Sequence, residues 1–476
     1  MYQSILLTDM KNKIFISMIL CVSVLAASCS WLDNPSPKGQ IPANKLTDND
    51  LALLTNGTLH QYEAFLTNLW FEGDYLAENF KGGPGFSYSD VHGETQSASA
   101  KIPLTRWQYC YQKLNYANLL IKSALGASNQ GSSDVRTALG TGYLFRAMIY
   151  TGLVQRYGGV PIIKVSGSTE IVPRSSEEEV WAMIVEDLKA AEDLLGEFKS
   201  FAYPSKEFCK AFRAKIMLWM AQDAEAIALA DDVIKSGRFS LNSNSTDFAS
   251  MFINGTSNKE IIFAPINIRS TNYNRLFESV NDTDGSYNYS PTDECWTNLY
   301  SDNAARTGDI RKAATFSTED PKPIIKFPNG QGGQFIKNPE PSQSPLMCMR
   351  LADVYLIKAE AQWASGDYPG ARETLLSLLE KRYASVNLPA SLGKDELETL
   401  ILDENRREFY AEGHRWFDIK RIGLRHHSAD FSNWIDKQYS EWNGRDFLMY
   451  WPIPQDERDK AGGAYTQNPG YSGTEQ

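Results

Sequence analysis

A helical hydrophobic periodicity, repeated twice with the same spacing, is the strongest constraint on how this chain can fold. Small and apolar residues recur at matching intervals in two segments: Ala214, Ala226, Ala230 and Val233 in the first, and Ala359, Ala371, Leu375 and Leu378 in the second. Two amphipathic helices with small contact residues and a tight turn, here Gly366-Asp367-Tyr368, are typical of a tetratricopeptide-like unit. Because one such unit cannot bury its apolar faces alone, the pattern predicts a stack of helical pairs.

Further helices follow the same period. Apolar residues recur every three or four positions over 136–157, and Gly158-Gly159 with Pro161 predicts the end of that helix. Ser176, followed by two glutamates, predicts the N-cap of the next helix. We expect further helical pairs, with a less regular pattern, around 105–157 and 395–421. The fold class is therefore mainly α: a tetratricopeptide-like scaffold of helical pairs with irregular, loop-rich insertions.

Two stretches break the helical pattern, at about 70–104 and about 240–345. Both are rich in glycine, asparagine, serine, proline and aromatic residues. Long irregular segments inside a compact protein usually carry function. We therefore expect these two insertions to form the binding face.

The N-terminus predicts export. Lys11 and Lys13 precede an apolar run over 14–27, which is too short to be a stable bilayer anchor and is typical of a signal peptide. The run ends in Ala26-Ala27-Ser28-Cys29, a pattern that suits lipoprotein processing with acylation of Cys29. The alternative is an ordinary secretory peptide cleaved nearby. We assign 1–28 to the signal peptide and 29–45, which contains Pro35, Pro37 and Gly39, to an extended tether.

Charge and cysteine content exclude several classes of partner and cofactor. The net charge is −11, and no basic block is present, so nucleic acid is not an expected partner. Cys110, Cys209, Cys295 and Cys348 are far apart without a CxxC pair, and we expect mostly buried free thiols. The five histidines form no metal-ligand spacing, and residues 281–285 fit a solvated turn better than a calcium loop. No cofactor and no metal are predicted.

The most enzyme-like feature is a row of carboxylates at Glu404, Glu408 and Glu412, whose spacing of four predicts one helical face. Two such carboxylates could resemble a retaining glycosidase pair. However, Arg406, Arg407 and Arg415 lie within the same two turns, and guanidiniums lower the pKa that a general acid needs raised. We therefore predict a structural ion-pair network. Serine-hydrolase, zinc-protease and phosphate-loop motifs are also absent from the sequence.

Several motifs in order resemble the SusD/RagB-like outer-membrane lipoproteins. The match begins at Cys29-Ser-Trp-Leu-Asp33 and continues through these segments: Trp107-Gln-Tyr-Cys-Tyr111, Arg146-Ala147, Arg156-Tyr-Gly-Gly-Val-Pro161, 350–361, 406–421, Pro452-Ile-Pro-Gln-Asp-Glu457 and Gln467-Asn-Pro-Gly-Tyr471. The resemblance implies a single SusD-like helical domain over 46–476, with an N-terminal half at about 46–240 and a C-terminal half at about 241–471.

The same resemblance implies a function. Members of the family are lipid-anchored on the cell surface, in the outer membrane of Gram-negative bacteria, over a SusC-like TonB-dependent transporter. They capture nutrients, most often oligosaccharides, act as the transporter's lid and are not enzymes. Two alternatives stay open: a peptide or other polymer as ligand, or a transporter-docking module without a ligand of its own.

Sugar recognition combines aromatic faces with polar groups that bind hydroxyls, and both insertions supply these. The favoured ligand contacts are Tyr88, Tyr287, Tyr289 and Trp296, followed by Trp70, Tyr75 and Asn288. Asn79 and Tyr300 are further polar or aromatic candidates, whereas Trp70 and Phe80 have core packing as an alternative role. We expect the tryptophans of the helical repeats to be packing residues: Trp107, Trp219, Trp363 and Trp416.

Overall fold

The structure is a computed structural model, which describes residues 47–69, 72–82, 97–253, 256–265, 279–281, 286–287, 289–316, 324–327, 345–438 and 445–471. The chain divides into the units Met1–Thr47 and Asp48–Gln476, and nearly all of the described residues belong to the second. The predicted signal peptide, the tether and Cys29 lie outside the described residues. These assignments, and the division of the domain into halves, remain predictions.

Helices dominate the described part of the chain, which confirms the mainly α fold. The longer helices are α1 (Leu51–Leu69), α3 (Lys101–Leu125), α4 (Ser133–Tyr157), α5 (Glu177–Leu194), α6 (Lys206–Trp219), α7 (Asp223–Lys235), α11 (Leu351–Ala364), α12 (Tyr368–Arg382), α13 (Lys394–Glu408) and α14 (Arg415–His426). The shorter ones are α2 (Glu72–Tyr75), α8 (Ser245–Ser250), α9 (Asp293–Asn298), α10 (Lys312–Thr315), α15 (Phe431–Gln438) and α16 (Gln455–Lys460). None of the helices in these ranges is both long enough and apolar enough to cross a membrane.

The helices pack as the repeat predicted. Helix α6 pairs with α7, α11 pairs with α12, and α11 also packs on both helices of the first pair. The small residues at the contact are buried: Ala214, Ala226, Ala230, Ala359 and Ala371. Helices α3 and α4 form another pair at the N-terminal side, and α13 and α14 follow at the C-terminal side. Both expected additional units are therefore confirmed.

Local signals begin and end the helices where the sequence indicated. The Ser176 hydroxyl accepts a hydrogen bond from the Glu179 amide in a capping box that starts α5. Helix α4 ends at Gly158, whose φ of 69° requires the conformational freedom of glycine. One expectation is wrong: α13 ends at Glu408, so Glu412 does not continue the helical face. Ala411 and Gly413 have φ values of 65° and 80°, which are incompatible with a continuing right-handed helix.

Four two-stranded antiparallel ribbons accompany the helices in the described residues. Their strands are β1 (Phe80–Gly82), β2 (Ile261–Phe263), β3 (Ser279–Asn281), β4 (Ser286–Tyr287), β5 (Tyr289–Pro291), β6 (Arg306–Asp309), β7 (Met349–Arg350) and β8 (Tyr383–Val386). The pairs are β1 with β5, β2 with β7, β3 with β4, and β6 with β8. Pairing of β2 with β7 and of β6 with β8 ties the second insertion to the helical scaffold.

Of the three hydrophobic clusters in the described residues, the two largest belong to the scaffold and to the region beneath the insertions. The larger cluster fills the space between the helices, and Trp107, Trp363 and Trp416 are buried in it as expected. Trp219 also packs against that cluster as expected, although its side chain is only half-buried. The smaller cluster lies under the insertions and includes Phe80, which confirms the core-packing alternative for that residue.

Candidate functional site

The two insertions meet at a short antiparallel ladder. Strand β1 of the first insertion pairs with β5 of the second, with Phe80 opposite Pro291, Lys81 opposite Ser290, and Gly82 opposite Tyr289. Segments about 200 residues apart in the sequence thus form one surface. We call this surface, formed by residues 72–82 and 289–300, the insertion junction, and it is the candidate functional site.

Asn79 fixes the insertion junction to the scaffold. Its backbone carbonyl accepts hydrogen bonds from the Thr292 amide at 3.3 Å and from the Tyr410 hydroxyl at 2.9 Å. Its side-chain amide donates to Asp74 at 2.6 Å, and its side-chain oxygen accepts from Arg406 Nε at 2.8 Å. One residue therefore links the first insertion, the second insertion and helix α13.

Asn79 and Tyr300 are consequently not available to a ligand. Asn79 is fully buried, and Tyr300 is buried with its hydroxyl donating to the Arg407 carbonyl at 2.8 Å. The prediction that these two residues contact a ligand is wrong, because the polarity of a residue in the sequence does not reveal hydrogen-bond partners that come from distant helices. Polar residues of irregular segments also form the hydrogen bonds that buried backbone groups need.

The outer edge of the insertion junction carries charge. Lys81 Nζ lies 2.6 Å from Asp293 Oδ1, and both side chains are at least half exposed. The hydrogen bond from Lys81, together with its charge, lowers the pKa of Asp293. Deeper in, Arg406 Nη2 lies 2.9 Å from Glu294 Oε2. The junction thus has a polar rim around the start of helix α9.

The structure brings the elements of three predicted ligand residues together at the insertion junction. Tyr289 lies in β5 opposite Gly82. Trp296 is half-buried on α9, with its ring 5.2 Å from that of Phe316, and Tyr75 is half-buried between the two hydrophobic clusters. Tyr287 lies in the neighbouring β3–β4 ribbon, opposite Ser279. Trp70, Tyr88 and Asn288 lie outside the described residues. The role of all seven in ligand binding stays a prediction.

The carboxylate row lies beneath the junction as a buried ion-pair network, as predicted. Glu404 contacts three guanidiniums: Arg306 at 2.5 Å, Arg407 at 3.0 Å and Arg311 at 3.1 Å. Burial by itself raises the pKa of Glu404, but the charges of these arginines outweigh it and hold that pKa at about 2. A carboxyl group in this state is ionised at neutral pH and unsuited to act as a general acid.

The rest of the network joins the second insertion to the scaffold. Glu408 contacts Arg311 at 2.9 Å, Arg350 at 2.7 Å and Arg382 at 2.9 Å. Burial opposes ionisation of Glu408 too, yet Arg382, Arg350 and Arg311 hold its pKa well below the usual range. Glu260, from the second insertion, accepts from Arg350 and Arg382.

The cysteines and the possible metal ligands of the described residues do not form a site. Cys110, Cys209, Cys295 and Cys348 are all free, as expected. Within the described ranges, no group of three or more histidine, cysteine, aspartate or glutamate side chains is placed to hold a metal ion. The possible calcium loop at 281–285 lies mostly outside those ranges.

Comparison with known proteins gives consistent matches along the chain. The model described as "SusD family" matches residues 306–471, and the model described as "Starch-binding associating with outer membrane" matches residues 30–218. SusD-like protein P38 of Formosa agariphila is 25% identical, over 86% of this chain and 91% of its own length. SusD-like protein P2 of the same organism is 28% identical, over 85% and 87% respectively.

Solved structures share the fold. A SusD superfamily protein from Bacteroides vulgatus superposes with a TM-score of 0.72 at 19% identity, covering 89% of this chain and 99% of its own. A protein described as a putative sugar binding protein, from the same species, gives a TM-score of 0.71 at 20% identity with the same coverage. At this level of identity the likeness concerns the fold.

Proposed function

The chain belongs to the SusD/RagB-like family, and from this membership we propose that it is a lipid-anchored, cell-surface protein that binds oligosaccharides. In this proposal the lipid is on Cys29, and the protein delivers its ligand to a SusC-like TonB-dependent transporter and acts as that transporter's lid. It is not an enzyme. The family models and relatives support association with the outer membrane and sugar binding as the class of function.

The observation that carries the proposal is the pairing of the two insertions. It supports the proposal because the strand that contains Tyr289 and the helix that contains Trp296 follow one another beside the polar groups of Lys81, Asp293 and Glu294. Aromatic rings beside charged and polar groups suit a sugar, because its C–H faces pack on rings while its hydroxyls need hydrogen-bond partners. Trp70, Tyr75, Tyr88, Tyr287 and Asn288 complete the proposed ligand contacts.

The non-enzymatic part of the proposal is supported by the carboxylates. Glu404 and Glu408 are fully buried, and each is held by three guanidiniums. A glycosidase pair needs carboxyl groups that reach the glycosidic oxygen and the anomeric carbon. Turnover of any glycan by the purified protein, if lost in Glu408→Gln without loss of folding, would overturn this part.

The ligand class is tested by affinity electrophoresis of the purified protein through gels that contain starch, xylan, pectin, alginate or laminarin, with a casein gel for the polymer alternative. We expect retardation by at least one polysaccharide and none by casein. Retardation by casein alone would favour a peptide ligand. No retardation, together with co-purification of a transporter, would favour a docking module without its own ligand.

The anchor is tested separately with Cys29→Ala. This variant should fold and bind the same ligand, yet leave the membrane fraction and fail to support uptake. If Cys29→Ala stays in the outer membrane, the lipid is not the anchor.

A further inference from the structure

A cavity of about 410 Å³ lies on the helical scaffold and takes no lining residue from the insertion junction. It is bounded by the start of α5, the end of α6 and the turn that follows it, the last two turns of α14, and Tyr450. Its volume falls in the range of small-molecule sites, roughly 300–1,000 Å³. Every helix around it belongs to the repeat scaffold, so its shape is fixed by helix packing.

Aromatic side chains form one wall of this scaffold cavity. The rings of Trp181 and Trp219 are stacked, with centroids 5.7 Å apart and an interplanar angle of 25°. Glu177 orients two of the aromatic residues, because its carboxylate accepts from Trp181 Nε1 at 3.2 Å and from the Tyr450 hydroxyl at 2.8 Å. The wall is therefore pre-organised, which limits the entropic cost of binding.

The two arginines that line the cavity are paired with carboxylates of the scaffold. Arg421 contacts Glu360 at 2.6 Å and Asp418 at 2.9 Å. Arg425 forms an ion pair with Asp223 and donates to the Leu218 carbonyl at 3.1 Å. Since both guanidiniums already have carboxylate partners, the cavity has no uncompensated positive charge for an anionic ligand, whereas the Glu178 carboxylate is an acceptor for hydroxyl groups.

Two features at the same wall are unfavourable for the stability of the fold. The buried indole N–H of Trp219 has no acceptor in the described part of the chain, a cost that phenylalanine at this position would avoid. Two residues later, Ala221 has a φ of 57°, a left-handed conformation that is unfavourable for alanine. Such costs concentrate at functional sites, where the surrounding structure holds them in place.

We propose that the scaffold cavity binds a short neutral saccharide of roughly one or two pyranose rings. One sugar face packs against the Trp219 side of the aromatic wall, and the hydroxyls bond to the exposed Glu178 carboxylate and the neighbouring polar groups. The site goes beyond the proposed function, because it is separate from the insertion junction and does not depend on it.

The test is saturation-transfer NMR of the purified full-length protein with maltose, cellobiose and lactose as probes. We expect a signal from at least one disaccharide. Trp219→Leu should weaken binding at least tenfold, whereas Trp219→Phe, which keeps an aromatic face, should stay within about threefold of the wild type. Tyr203→Ala, which removes an exposed aromatic side chain outside both sites, is the control and should retain the signal.

Folding of each variant is checked by circular dichroism. If Trp219→Leu does not fold, Ala221→Asn is used to test the proposal instead. Asparagine tolerates a left-handed backbone and adds bulk to the cavity wall, so Ala221→Asn should fold and should weaken binding. No signal from any of the three disaccharides overturns the proposal, and so does binding that survives Trp219→Leu. A signal lost in Trp296→Ala also overturns it, but assigns the sugar to the insertion junction and so leaves the proposed function standing.

Discussion

Arg350 Nη1 lies 2.7 Å from Glu408 Oε1, and both side chains are fully buried. Arg350 begins helix α11 of one repeat and Glu408 ends helix α13 of the next. Through Glu260, the same arginine also contacts the second insertion. Arg350 therefore joins two helices of the repeat scaffold to the second insertion, which carries half of the insertion junction.

Glu408→Gln should destabilise the protein by about 3–5 kcal/mol, because it leaves three buried guanidiniums without their shared carboxylate. The measurement is the free energy of unfolding in urea. Asp403→Asn is the matched control, since Asp403 is on the same helix but partly exposed, 3.6 Å from Arg407, and should change stability by less than about 1 kcal/mol. A Glu408→Gln effect as small as that of the control would show that the network contributes little.

Acid should weaken the protein through Glu404. Its pKa of about 2 in the folded protein lies below the ordinary glutamate value of 4.5, so its stabilising contribution is present above pH 4.5 and is lost as the pH falls toward 2. A shift of this size corresponds to about 3 kcal/mol. Unfolding free energies between pH 6 and pH 2.5 should fall less steeply for Glu404→Gln than for the wild type. Parallel curves for the two proteins would contradict this assignment.

Asn79→Ala should loosen the insertion junction. The change removes the amide that bonds to Asp74 and Arg406, which costs about 1–3 kcal/mol for the buried groups left behind. Hydrogen exchange of the 289–292 amides should become faster than in the wild type. Lys81→Ala, which removes only the exposed pair with Asp293, is the control and should leave exchange deeper in the junction unchanged. Equal protection in Asn79→Ala and the wild type would mean that Asn79 does not hold the two insertions together.

Substitutions in the turns of the two repeats should change the stability of the protein in opposite directions. Ala221 and Gly366 occupy equivalent positions, with φ values of 57° and 86°, and a Cβ at Gly366 would meet no atom within 4 Å. Ala221→Gly should stabilise the protein by up to about 1 kcal/mol, and Gly366→Ala should destabilise it by about 1 kcal/mol, because only glycine adopts this conformation without strain. Thermal unfolding of the two variants checks the signs. A destabilised Ala221→Gly would show that the alanine side chain contributes packing that outweighs its backbone strain.

The sequence predicted the scaffold well, because the helical period and the small contact residues are local signals. The Ala214 and Ala359 repeats, the Ser176 cap and the end of α4 at Gly158 all follow from a few neighbouring residues. The end of α13 was missed, because Ala411 in a left-handed conformation has no local signature. Pairing of β1 with β5 was also beyond the sequence, since it depends on contacts across about 200 residues. The buried, structural role of Asn79 also depends on partners that are distant in the sequence.

The insertion junction should bind an oligosaccharide, and calorimetric titration with a glycan that retards the wild type measures this binding. Trp296→Ala should bind it at least about tenfold more weakly, equivalent to 1.4 kcal/mol. Tyr203→Ala, which removes an exposed aromatic side chain elsewhere, should bind it as the wild type does. Equal affinity of Trp296→Ala and the wild type, with both proteins folded, would contradict the placement of the ligand at the insertion junction.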